Sequence, residues 1–184
     1  MRITGGTLRG RQVKVPAGII RPAMDRMRES IFAALGDLTG ASFLDLFTGS
    51  GIIALEAASR GAVYIEAVEM DPLKRKILLE NAKISPIRIH CHFMPVELYV
   101  KRAKQPFDII FCDPPFPYKF KWELIQAIAA SPLMKEGSRL LLHRPREDSQ
   151  ETTVSADNPP GKLIPEKPRT YGRSVVNFFK FCAI

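Results

Sequence analysis

Three short stretches of this 184-residue chain carry side chains whose type and spacing suit them for chemistry. The first is Leu44-Asp45-Leu46-Phe47-Thr48-Gly49-Ser50-Gly51, an apolar run that enters a glycine-containing turn and opens onto a helical pattern. Gly49 and Gly51 have no Cβ, so such a turn lets the backbone approach a ligand closely. The second is Glu69, in Val68-Glu69-Met70-Asp71. An acidic group at the end of the next strand, about twenty residues on, can accept hydrogen bonds from two ribose hydroxyls. The pair points to a nucleoside-containing ligand and would serve a dinucleotide equally. Ala54 in the third position of GxGxxG argues only mildly against a nicotinamide cofactor. The third stretch, Asp113-Pro114-Pro115-Phe116, discriminates further. Consecutive prolines lack N–H donors and hold the chain extended, which leaves a carboxylate and at least one carbonyl as acceptors. An exocyclic amine is a donor and needs such acceptors. Phe116 offers a flat face for a base taken out of its helix. The bland alternative for Asp-Pro-Pro is a rigid turn.

These residues must be positioned by regular elements, and the apolar spacing shows which. Met24, Met27, Ile31, Leu35 and Leu38 recur at helical spacing. Short apolar runs then alternate with helical stretches. Strands are predicted over 42–47, 63–69, 87–93, 107–112 and 138–143, and helices over 51–60, 72–83, 96–103 and 120–130. Such alternation predicts a mostly parallel sheet covered by helices. Residues 148–160 read as an exposed loop, and 162–167 with 174–181 as an antiparallel hairpin at the sheet edge. The Gly/Arg-rich residues 1–22 read as a small basic hairpin arm outside the core, and 23–184 as the catalytic core of a single domain. The predicted class is α/β, a Rossmann-like seven-stranded fold with an antiparallel C-terminal hairpin.

The bulk properties narrow the partners. A formal net charge of +8 draws the protein towards a polyanion, because neutralising phosphates releases counterions. No apolar run approaches the ~20 residues needed to cross a bilayer, and residues 1–6 lack the apolar stretch of a secretory signal. Cys91, Cys112 and Cys182 form no CxxC pair, so no disulfide framework or zinc site is indicated and a reducing cytoplasm is expected. His90, His92 and His143 lack companion ligands at metal spacing; structural or surface roles are expected, and no metal. Trp122 is expected to pack rather than to stack on a base.

The Asp-Pro-Pro-Phe motif after the fourth strand resembles the signature of enzymes that methylate exocyclic nitrogens of adenine, cytosine or guanine. Arg21-Pro22-Ala23-Met24-Asp25-Arg26-Met27-Arg28-Glu29, Asp45 to Gly51, Leu55-Glu56-Ala57-Ala58-Ser59-Arg60-Gly61-Ala62 and Tyr171-Gly172 narrow it. In this order, over nearly the whole chain, they resemble the RsmD-type family, bacterial enzymes that make N2-methylguanine in small-subunit (16S) ribosomal RNA. The resemblance implies the class I fold that uses S-adenosylmethionine. It implies that Asp45, Gly49 and Gly51 line the cofactor pocket, that Glu69 holds its ribose, and that Asp113, Pro114 and Phe116 hold the target guanine. Arg21, Asp25, Arg26 and Arg28 would shape the cofactor entrance and the RNA-facing side. Two departures are visible: Ala23 stands where the family usually has Thr, and Phe93-Met94 replaces a polar residue near the adenine amino group. An adenine contact at Met94 would then come from backbone.

The implied reaction is direct methyl transfer to the guanine N2 amine, within a 30S subunit or assembly intermediate, by a monomer. Arg9, Arg11, Arg21, Arg28 and Lys119 are the expected RNA contacts, with Lys121, Arg144, Arg146, Arg169 and Arg173 as further candidates for a basic surface. A DNA adenine-N6 methyltransferase is the nearest rival, although 184 residues leave little room for an added target-recognition region. A nucleic-acid-binding module with a vestigial cofactor fold is the rival from another class, and intact Gly49, Gly51, Glu69 and Asp113 speak against it.

Overall fold

The computed structural model describes residues 1–15, 23–148 and 161–184; Arg21 and all but the first residue of the loop expected over 148–160 lie outside the described residues. The chain gathers into two compact units, Met1–Met94 and Pro95–Ile184.

In the first unit, helix α1 (Ala23–Leu35) is followed by strand β1 (Ser42–Leu46), helix α2 (Ile52–Ser59), strand β2 (Tyr64–Val68), helix α3 (Arg75–Ala82) and strand β3 (Ile89–His92). β2 pairs in parallel with β1 and with β3. Phe43 to Leu46 and Ile65 to Val68 are all buried, the near-continuous apolar run of parallel strands covered on both faces. Of the two glycines near which the sequence lets this helix end, Gly36 and Gly40, the first stops α1: Gly36 adopts φ +77° and its N–H closes on the Phe32 carbonyl at 3.1 Å. Leu38 is still buried, but beyond the helix.

Every residue of α2 is buried, including Glu56. A carboxylate there requires partners, since a buried charge left alone is costly. Glu56 receives the Thr4 N–H (2.8 Å), the Thr4 hydroxyl (2.9 Å) and Arg28 Nε (3.2 Å), and pairs with Arg60. Thr4 belongs to the N-terminal hairpin, which is closed by the Arg2–Gln12 bridge and by a 2.8 Å bond from the Val13 N–H to the Met1 carbonyl. Ile3 and Val13 are buried, and Ser59 bonds to Gly5 and Leu8. The hairpin expected outside the core is thus pinned to α2 by a polar network and two apolar anchors. Sequence spacing did not reveal this, because the partners lie about fifty residues apart in the chain.

The second unit contains helix α4 (Val96–Arg102), strand β4 (Ile109–Cys112), helix α5 (Lys121–Ala129) and strands β5 (Arg139–Pro145), β6 (Gly161–Pro165), β7 (Arg169–Tyr171) and β8 (Ser174–Ala183). β4 and β5 are parallel, while β8 runs antiparallel to β5, β6 and β7. The expected terminal hairpin therefore changes in two ways. β8 is an interior strand between β5 and the β6–β7 side, which matches the complete burial of Val175 to Phe179. The short β7 is an added strand that the sequence pattern did not show. Alternating strands and helices, parallel central pairs and an antiparallel C-terminal strand make this a Rossmann-like α/β fold.

Candidate active site

In the first unit the backbone leaves β1 through left-handed conformations at Phe47 (φ +61°), Gly49 (φ +58°) and Gly51 (φ +81°). A bulky residue with positive φ is held there at a cost of about 1–3 kcal/mol and must be over-determined by its surroundings. Here the Thr48 N–H bonds to the Val68 carbonyl and the Gly51 N–H to the Thr48 carbonyl, both at 3.0 Å. Asp45 is almost fully buried; its Oδ2 receives the Ala54 N–H at 3.1 Å and the Thr48 hydroxyl. It therefore clips the strand to the first turn of α2; the cofactor-pocket role that the resemblance implies for it belongs to the function proposed below.

The two glycines have different reasons to be glycine. A Cβ on Gly51 would stand 2.8 Å from Leu78 Cδ1, so its smallness serves packing against α3. A Cβ on Gly49 would meet nothing within 4 Å, so the space above it is open to a ligand. The Gly49 N–H donates to Glu69 Oε2 at 2.8 Å, and the Asp71 N–H donates to Oε1 at 2.9 Å. Glu69 itself is 5% exposed, and Lys74 Nζ stands 3.7 Å from Oε2. A carboxylate has about four acceptor sites; with one backbone N–H on each oxygen, Glu69 retains acceptors for two hydroxyls. The open Gly49 and the pre-set Glu69 fit a ribose-bearing cofactor. Met94 is half-buried just past β3, and the neighbouring Phe93 ring lies under the Arg75 guanidinium at 4.5 Å. Arg26 is exposed on α1.

Arg28 is fully buried, its NH2 group donating to the Arg2 carbonyl (2.9 Å) and to Asp25 (2.7 Å). Its expected RNA contact is corrected: the guanidinium neutralises Glu56 and ties the hairpin to α1. Arg9 and Arg11 are exposed on that hairpin.

In the second unit Asp113 follows directly on β4. Its Oδ1 lies 2.7 Å from His143 Nδ1, on the adjacent strand β5. His143 is buried, and its Nε2 has no partner among the described residues. Phe116 presents its ring edge-on to the imidazole, with centroids 5.8 Å apart and planes at 67°. Pro114 is buried, and no hydrogen bond to its carbonyl occurs among the described residues, whereas the Pro115 carbonyl accepts the Tyr118 N–H at 2.8 Å. Lys121, also buried, donates Nζ to the carbonyls of Phe116 (3.0 Å) and Tyr118 and to Asp148 (2.9 Å). All three ammonium hydrogens are thereby used, so Lys121 is a strut beneath the loop and not an RNA-facing cation. Burial likewise takes Arg144 off the expected basic surface: it donates to Asn177, Pro145 and Asp148, and desolvation pushes its pKa down. Lys119 is exposed.

The sequence reading gave His143 a structural or surface role and Lys121 a place on a basic surface, and assigned neither to the Asp-Pro-Pro-Phe site. Strand register makes the first contact: the parallel pairing of Cys112 with Leu142 sets Asp113 beside His143. The other two histidines behave as expected, His92 engaging Glu66 at 2.6 Å and His90 lying against the Tyr64 ring.

Comparisons with known proteins place the whole chain among RNA methyltransferases. The chain is similar to Bacillus subtilis YlbH, 29% identical with 98% of each chain covered. It is 36% identical to the Escherichia coli ribosomal RNA small subunit methyltransferase D over 63% of this chain and 60% of that one. A stretch covering 47% of the chain is 38% identical to a tRNA1(Val) (adenine(37)-N6)-methyltransferase of Actinobacillus succinogenes, matching 39% of its length. Among solved structures, the Escherichia coli protein yhhF superposes with a TM-score of 0.86 at 27% identity, covering 100% of this chain and 99% of that one. SMU.776 complexed with SAH shares the fold alone, with a TM-score of 0.72 at 17% identity over 88% of this chain and 50% of that one. Residues 1–180 match the family described as "Conserved hypothetical protein 95". The protein belongs to that family, the RsmD-type methyltransferases.

Proposed function

We propose that this enzyme methylates the exocyclic N2 amine of a guanine in small-subunit ribosomal RNA, with S-adenosylmethionine as the methyl donor. The observation that supports it most directly is the Asp113 carboxylate, held on one oxygen by His143 and followed by a Pro114 carbonyl with no donor among the described residues. An amine lone pair conjugated into a purine ring is a poor nucleophile. Accepting its two hydrogens on Asp113 Oδ2 and the Pro114 carbonyl favours a more tetrahedral nitrogen, whose lone pair is turned out of the ring. Phe116 stacks on the extruded base. Glu69 and the open face of Gly49 orient the cofactor through its ribose. The bound cofactor supplies an electrophilic methyl group on a sulfonium. The protein's part is therefore orientation and a fixed set of acceptors.

The substrate is taken to be a 30S subunit or an assembly intermediate, met by a cytoplasmic monomer. Adenine N6 presents the same pair of hydrogens, so it is the second outcome to test. The test is incubation with methyl-labelled S-adenosylmethionine and 30S subunits, naked small-subunit RNA or genomic DNA, followed by nucleoside identification. Labelled N2-methylguanosine from the ribosomal samples supports the proposal. N6-methyladenine as the labelled product, from RNA or DNA, overturns the guanine assignment.

A further inference from the structure

The segment that follows the catalytic motif, Phe116-Pro117-Tyr118-Lys119-Phe120-Lys121-Trp122, is unusually rich in aromatic and basic side chains. It encloses a shallow pocket of about 260 Å³, lined by Phe116, Pro117, Tyr118, Lys119, Trp122 and the Lys121–Asp148 ion pair. Asp113 follows the carboxyl end of β4 and Asp148 the carboxyl end of β5, the strand ends at which ligands bind in open α/β sheets. The pocket is smaller than the ~300–1,000 Å³ sites that enclose whole drug-sized ligands. A single planar ring is an occupant of suitable size; a helix of nucleic acid is not.

The lining is pre-organised. Lys121 fixes the carbonyls of Phe116 and Tyr118, and the Tyr118 hydroxyl donates to Glu97. Tyr118 packs edge-to-face against Phe120, which is 62% exposed. Because the Lys121 charge is consumed by Asp148 and two carbonyls, the exposed Lys119 is the pocket's cation towards solvent. Aromatic walls beside a solvent-facing lysine are the chemistry that receives an unpaired base and its phosphate.

Resting on the RNA methyltransferase reading, we propose that this pocket is a second base subsite: it holds a nucleobase flanking the target guanine, stacked against Trp122 and Tyr118, with Lys119 on its phosphate. Trp122, expected from the sequence to do no more than pack, is then a substrate-binding residue. The subsite lies in the same loop as Phe116, so filling it steadies the backbone that presents Asp113. It also selects unpaired RNA, since a base still in its helix cannot enter.

The test uses the full chain, labelled S-adenosylmethionine and small-subunit RNA or 30S subunits. Trp122→Leu raises the KM for RNA about 5- to 150-fold, the range that loss of one stacked base gives, while the KM for the cofactor stays unchanged. Trp122→Phe restores most of the affinity, because it returns an aromatic face. An unchanged RNA KM in Trp122→Leu overturns the proposal. Trp122 is the chain's single tryptophan, so wild-type emission gives a second readout should the Leu variant fail to fold. Short single-stranded oligoribonucleotides with a central guanosine are titrated with both flanking bases present, or with the 5′ or the 3′ flank abasic. Quenching that disappears with one abasic flank supports the subsite; emission that none of the three alters overturns it. If the wild type methylates no RNA, the substrate reading fails instead, and the same titration still decides the pocket.

Discussion

Asp113 and His143 carry the sharpest consequences at the scale of single residues. Asp113→Ala removes the carboxylate acceptor and lowers kcat by about 100-fold or more, the scale on which a single positioned polar group acts in a transition state, while cofactor affinity stays near wild type. Single-turnover methyl transfer together with calorimetric cofactor titration checks this; a parallel loss of cofactor binding would sink the assignment. His143 is a positioning residue acting through Asp113, and two amides separate that role from simple packing. Asparagine places its amide nitrogen near the site of Nδ1 and can still donate to Asp113, whereas glutamine reaches towards the site of Nε2. The expected order of kcat is wild type, His143→Asn, then His143→Gln and His143→Ala, with the KM for the cofactor unchanged. If Gln outperforms Asn, side-chain volume rather than the 2.7 Å hydrogen bond is what matters.

At the scale of elements, the β1–α2 turn and the buried helix α2 separate binding from stability. Both Gly51→Ala and Gly49→Ala force a left-handed backbone on a residue with a Cβ, costing about 1–2 kcal/mol each. Gly51→Ala adds a clash with Leu78 and so unfolds at the lower urea concentration. Gly49→Ala adds no clash and instead weakens cofactor binding; isothermal titration beside urea unfolding reads the two effects apart. Glu56 makes the same point inside α2. Glu56→Ala leaves the fully buried Arg28 with the half-exposed Asp25 as its one carboxylate partner and loosens the N-terminal hairpin, with an expected loss of about 3 kcal/mol by urea denaturation. Alternation of apolar runs made every α-helix and seven of the eight described strands legible in the sequence, with ends matching to within three residues. β7 was not legible: three residues around Arg169–Tyr171 have no apolar face to signal a strand, and only the paired edge of β8 makes them one.

At the scale of the whole molecule, the count of 27 lysines and arginines overstates the cations available to RNA. Arg28, Lys121 and Arg144 spend their charge inside the protein, and Lys14 is paired with Glu80 at 2.9 Å. Arg9, Arg11 and Lys119 remain exposed. Replacing Arg9 or Arg11 with Ala is expected to weaken RNA binding alike across sequences. The slope of log K against log salt should fall by about one for each phosphate that is no longer neutralised. Filter binding over a series of salt concentrations checks this, and an unchanged slope in the double variant would remove the hairpin from the RNA interface.

The sequence by itself determined the fold class, the glycine turn, Glu69 and the Asp-Pro-Pro-Phe motif, because each is local: hydrophobic period, missing Cβ atoms and missing N–H donors are properties of adjacent residues. It also carried the family resemblance. Only the tertiary structure decided which charges face inward, that Asp45 ties β1 to α2, that Gly51 answers to Leu78 and Gly49 to open space, and that His143 holds Asp113. These depend on residues far apart in the chain, brought together by strand register and helix burial. A charged side chain in a sequence reads the same whether it will meet solvent or a buried partner, and the two differ only once the chain has folded.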